Sequence, residues 1–90
     1  MSELDREEVI ARIRQIVIED CDKDVAPEEI RLDEQLIGGE LDLDSLDALQ
    51  ICMTVKNIYD VRIESGPESR RALQSVNTLA DTIIETVAGR

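Results

Sequence analysis

The residues of this chain best placed to do chemistry are Asp44-Ser45-Leu46-Asp47, a hydroxyl between two carboxylates halfway along 90 residues. Asp44 is a good helix N-cap, because its carboxylate can accept from the free N–H groups that open a helix. Asp47, three residues on, supplies a capping-box partner, with Asp in place of the usual Glu or Gln. Ser45 then falls at the first helical position, near the positive end of the helix dipole, where a phosphate ester is favoured. If Asp44 caps the helix, the serine hydroxyl stays available. Two readings stand on these residues alone: an ordinary helix start, or a hydroxyl presented for modification.

Other chemistry is thinly supplied. The chain has no His, so neither a Ser-His-Asp nor a Cys-His arrangement can form within it. Paired carboxylates remain available, but so small and acidic a chain offers no obvious pocket for them. Cys21 and Cys52 are far from C-x-x-C spacing and read as reduced thiols rather than metal ligands. Asp20, Asp22 and Asp24 match the first three ligand positions of an EF-hand. The match fails where Val25 replaces the turn Gly and Arg31 replaces the bidentate Glu.

Composition narrows the partners. Lys plus Arg number 10 against 21 Asp plus Glu, a net charge of −11. Such a chain suits neither nucleic acid nor an anionic membrane surface, and its field would steer basic protein partners. The charge is uneven: between residues 28 and 47 the only base is Arg31, and the acidic region runs past Ser45. No apolar run approaches a membrane span, and Met1-Ser2-Glu3-Leu4-Asp5 has no signal-peptide core, so a cytoplasmic protein is expected.

The elements that must position Ser45 are helical. With Tyr59 the sole aromatic, the core has to be built from Leu, Ile, Val, Ala and Met, which favours helix on helix over a sandwich. The expectation is one all-α domain over residues 1–90, a small antiparallel four-helix bundle. A long loop separates helices one and two, and the third helix is short. Helix one is predicted over about residues 5–19, capped by Asp5 with Glu8 as box partner; Val9, Ile13, Ile16 and Val17 form its stripe. Pro27 opens a short helical turn, and Ile30, Leu32, Leu36 and Ile37 are placed to pin the loop. Gly38-Gly39 breaks the chain.

Helix two runs from Asp44 or Ser45 to about residues 57–59 and carries more apolar residues than one face needs. Ala48, Cys52, Val55 and Tyr59 make one stripe with Ile51 beside it; Leu46, Leu49 and Met53 make a second. The second stripe is either buried in a central helix or turned toward a partner. Val61-Arg62-Ile63 reads as extended and too short for a sheet. Pro67 opens a short helix to about residue 74. Ser75 caps the last helix with Thr78 as its N3 partner, Val76, Leu79, Ala80, Ile83, Ile84 and Val87 form its stripe, and Gly89 ends it.

Taken together, the chain resembles the acyl carrier proteins and the related peptidyl carrier domains over nearly its whole length. Asp44-Ser45-Leu46 matches the family's Asp-Ser-Leu motif, Asp47 the acid that often follows, and Leu41 the apolar residue upstream. Tyr59-Asp60-Val61-Arg62-Ile63 is similar to the family's exit from its second helix, and Ser75-Val76-x-x-Leu79-Ala80-x-x-Ile83 to the start of its last. The resemblance implies a non-enzymatic, monomeric carrier with 4′-phosphopantetheine, taken from coenzyme A, attached to Ser45 and holding acyl groups as thioesters. It implies a phosphopantetheinyl transferase and acyl-loading and acyl-modifying synthase enzymes with basic docking patches as partners, met by Asp44, Leu46, Asp47, Met53 and Ile63. The core-facing stripe of helix two would border a cavity for the acyl chain. Asp42, where many members have Gly, and Gln50, Lys56 and Asn57, where many have Glu, point to a specialised stand-alone carrier for unusual fatty acids, polyketides or similar products. Two rivals remain: an aminoacyl or peptidyl carrier, and an unmodified acidic interaction module.

Overall fold

Each long helix begins where a short polar side chain can take up an unpaired N–H. The structure, a computed structural model, describes residues 4–21, 23–39, 43–64 and 66–89. Among them are four α-helices and no named strand: α1 (Arg6–Asp20), α2 (Ser45–Tyr59), α3 (Pro67–Ala72) and α4 (Val76–Ala88), with a 3₁₀ turn at Pro27–Glu29. Ser75 and Thr78 form the expected reciprocal box at α4. At α1 the outcome differs. Asp5 accepts from the Glu7 N–H at 3.0 Å, one residue short of the N3 position that a box with Glu8 requires.

The four helices form a small bundle around one apolar core. α1 contributes Val9, Ile13, Ile16 and Val17, α2 contributes Ile51 and Val55, and α4 contributes Val76, Leu79, Ala80 and Ile83. α1 packs most extensively on α4 and also on α2, whereas α3 rests on α4. An exposed Arg6–Asp81 pair at 2.6 Å adds to the α1–α4 seam. Asp20, one of the EF-hand-like acids, accepts from the Thr54 hydroxyl and ties the end of α1 to α2; Asp22 lies outside the described residues.

The long loop is part of this core. Ile30, Leu36 and Leu43 are buried, with Leu32 and Ile37 packed against them. Its backbone is held from the far end of the chain. Leu36 N–H donates to Gln74 O and Asn77 N–H to Leu32 O, each at 3.0 Å, and the Asn77 amide donates to Asp33 at 2.6 Å. An isolated parallel bridge pairs Ile37 with Leu43, and Gly38 N–H donates to Leu43 O at 3.1 Å. Gly38 takes φ +78°, which glycine adopts freely. Gly39 is required for a different reason: a Cβ there would sit 2.1 Å from the Gln35 carbonyl oxygen. Gly39→Ala is therefore expected to lower stability by about 1–3 kcal/mol, the usual range for overpacking. A urea unfolding midpoint unchanged from the parent would contradict this.

The third helix is shorter than its sequence suggests. It ends at Ala72, and Leu73 turns out of it, donating to Ser69 O and burying its side chain to 1% exposure. Burying that leucine contributes roughly 1.5–3 kcal/mol. Val61 and Ile63 are buried in the segment after Asp60, which closes α2 in the left-handed region at φ 58°.

Candidate functional site

Ser45 is the first residue of α2, and it is exposed. The helix start is completed without it. Asp47 N–H donates to Asp44 Oδ1 and Asp44 N–H donates to Asp47 Oδ2, both at 3.1 Å, and Ala48 N–H donates to Asp44 O at 3.0 Å. The short Asp at the N3 position serves the reciprocal bond as Glu would. The Ser45 hydroxyl makes no hydrogen bond to any described residue. The N–H groups of Ser45 and Leu46 open the helix without an acceptor among the described residues. A hydroxyl without an intramolecular partner, beside two donor N–H groups, suits attachment of a phosphate ester. Leu41 and Asp42, just upstream, lie outside the described residues.

Of the two apolar stripes of α2, Ile51 and Val55 reach the core at 0% exposure. Leu46 at 74%, Leu49 at 54% and Met53 at 54% face outward, one to two turns from Ser45. Asp44 is exposed and Asp47 partly so, which leaves apolar side chains beside carboxylates at this end of the helix. Ile63 is placed differently, at 9% exposure.

Ala48 and Cys52 are half-buried, because α3 leans on α4 and leaves the space beside α2 open. That space is a groove of about 780 Å³ with Ser45 on its border. Its apolar side is Ile37, Ala48, Leu49, Cys52, Ile63 and Leu73. The groove was only partly legible in the sequence: the stripe with Ala48 and Cys52 pointed to it, whereas the contributions of the loop and of α3 depend on long-range packing.

The two cysteines are unpaired with each other and half-buried. Cys52 lines the groove, and burial raises its thiol pKa. Cys21 ends α1 beside the first turn of α2; burial, reinforced by the Asp47 carboxylate, pushes its thiol up to about 11. Both thiols stay protonated at neutral pH. Alkylation of the folded chain at pH 8 is expected to run at least about tenfold slower than in urea, since the thiolate is the nucleophile. Equal rates would contradict the burial of both. The linked effect on stability has a definite sign. A raised acid pKa favours the folded chain below the ordinary value of 9.0 and loses that advantage as pH rises through about 11.

Among the described residues, no group of three or more His, Cys, Asp or Glu is arranged to hold a metal, and no helix is long and apolar enough to cross a membrane. Fold and site together define a small acidic four-helix protein with a solvent-facing serine opening its second helix above a groove. The chain is similar to the acyl carrier protein of Streptococcus thermophilus (strain CNRZ 1066), with 28% identity over 75 residues, covering 83% of this chain and 86% of that protein. No protein-family model matches.

Proposed function

We propose that this chain is a carrier of acyl intermediates, with Ser45 as the attachment point for 4′-phosphopantetheine. The observation that carries the reading is the exposed, unbonded Ser45 hydroxyl on a helix start that Asp44 and Asp47 complete by themselves. Similarity to an acyl carrier protein over most of the chain supports it. On attachment the Ser45 oxygen loses its proton and forms the P–O bond of a phosphodiester, while the nucleotide part of coenzyme A leaves. When bound, the group supplies a terminal thiol on which acyl groups are held as thioesters. The rest is the work of the chain. The N–H groups at the start of α2 would donate to the phosphodiester, the exposed stripe and its flanking carboxylates would meet partner enzymes, and the groove beside Ser45 would receive the cargo.

The partners are a phosphopantetheinyl transferase and cytoplasmic synthase enzymes with basic docking patches, whose encounter the net charge of −11 accelerates. Asp44, Leu46, Asp47 and Met53 form the docking face, and Ile63 contributes where it lines the groove. The test is intact mass before and after incubation with coenzyme A and a broad-specificity phosphopantetheinyl transferase. One added phosphopantetheinyl group is expected. No addition with several such transferases sinks the reading and leaves an unmodified interaction module.

A further inference from the structure

We infer that the groove beside Ser45 takes acyl chains bearing acceptor oxygens, such as keto or carboxylate groups, in preference to plain saturated chains. This rests on the carrier reading. The apolar side of the groove, from α2 and Leu73, would cover a hydrocarbon chain of any kind. The polar part of the lining is Asp33, Gln35, Ser69, Arg70 and Gln74, from the loop, α3 and the α3–α4 connection. Most of these polar groups are already engaged. Asp33 accepts from the Asn77 amide at 2.6 Å, Gln35 donates to Ile37 O at 2.7 Å and the Ser69 hydroxyl donates to Gly66 O at 3.0 Å.

Arg70 and Gln74 are left. Neither side chain has a hydrogen-bond or ion-pair partner among the described residues, in a chain with 21 acids and 10 bases. Both present N–H donors, and those of Arg70 form a planar fork suited to acceptor oxygens. Both residues are exposed at the rim of the groove, where a saturated chain gains nothing from their donors and an oxygenated chain accepts a hydrogen bond from them. Arg71, the next residue on the same short helix, does not line the groove and serves as the control.

The test loads ¹⁵N-labelled chain from three acyl coenzyme A thioesters of equal length: saturated, internally keto, and carboxylate-terminated. Intact mass reports attachment, and amide shifts at Ala48, Cys52, Ile63 and Leu73 report docking of the cargo. Each oxygenated chain is expected to dock about tenfold more fully than the saturated one, the worth of a hydrogen bond from a charged donor. Arg70→Met should remove that preference, and Arg71→Met should keep it. A larger gain for the carboxylate identifies an anionic cargo; equal gains identify any acceptor oxygen. Added mass with all three chains docking alike, or a preference that survives Arg70→Met, overturns this inference and leaves the carrier reading intact. No added mass overturns both.

Discussion

Ser45→Ala is expected to fold as the parent does and to take up no phosphopantetheinyl group at all. The two halves of this expectation come from the same geometry. The cap of α2 is built from Asp44 and Asp47, and the serine hydroxyl bonds to no described residue. Alanine at a first helical position costs nothing in propensity. The change in stability should therefore stay within about 0.5 kcal/mol, as for exposed sites without special contacts. Modification, in contrast, should fall from complete to none, because among the described residues only this hydroxyl is both exposed and unengaged beside the groove. Ser69 and Ser75 also line it, but the first donates to Gly66 O and the second serves the α4 cap at 3.2 Å from Thr78 N. Intact mass and thermal circular dichroism check the two halves separately. Residual modification of the Ala variant would move the attachment point elsewhere, and a large loss of stability would mean that the serine belongs to the fold.

Ile51→Ala should have the largest effect on stability that a change in α2 can produce. Ile51 has 0% exposure on the face of α2 that enters the core. Truncating a buried isoleucine to alanine costs about 2–5 kcal/mol through lost transfer energy and a residual cavity. In a domain this small, that corresponds to a fall in Tm of roughly 10–30 °C. The same truncation at Leu46 or Met53 should change stability by less than about 0.5 kcal/mol, since both are more than half exposed. Paired unfolding curves of these variants would decide the matter. Comparable losses at Ile51 and Met53 would contradict the division of α2 into a core face and a free face.

That division is where the sequence ran out. Asp5, Asp44 and Ser75 announced their helices because a cap is a local device, readable from a few residues. The α1 and α4 stripes were readable because each is amphipathic by itself. The two stripes of α2 are both apolar, so periodicity could not say which one is buried; the choice is made by α1 and by the connection carrying Val61 and Ile63, far apart in the chain. The end of α3 falls within two residues of its expected place, with Leu73 as the C-cap and its side chain in the core. For the site, the placement of Ser45 at a helix start was legible, and so was the part of the groove that Ala48 and Cys52 supply. Its polar side, built from Asp33, Gln35 and α3, depends on contacts across some 40 residues of sequence, visible in the 44-residue separation of Asn77 and Asp33.

Those same cross-chain ties set an order of events during synthesis. The loop that leads to Ser45 has its backbone fastened by Gln74 and Asn77, and α1 meets α4 through a pair 75 residues apart. While the ribosome is still making α3, the first half of the chain can pair α1 with α2 but lacks α4, on which α1 packs most extensively. Part of its apolar surface stays uncovered, and the loop that leads to Ser45 lacks its bonds to Gln74 and Asn77. An enzyme that required the finished surface around Ser45 would therefore meet it only once α4 is in place.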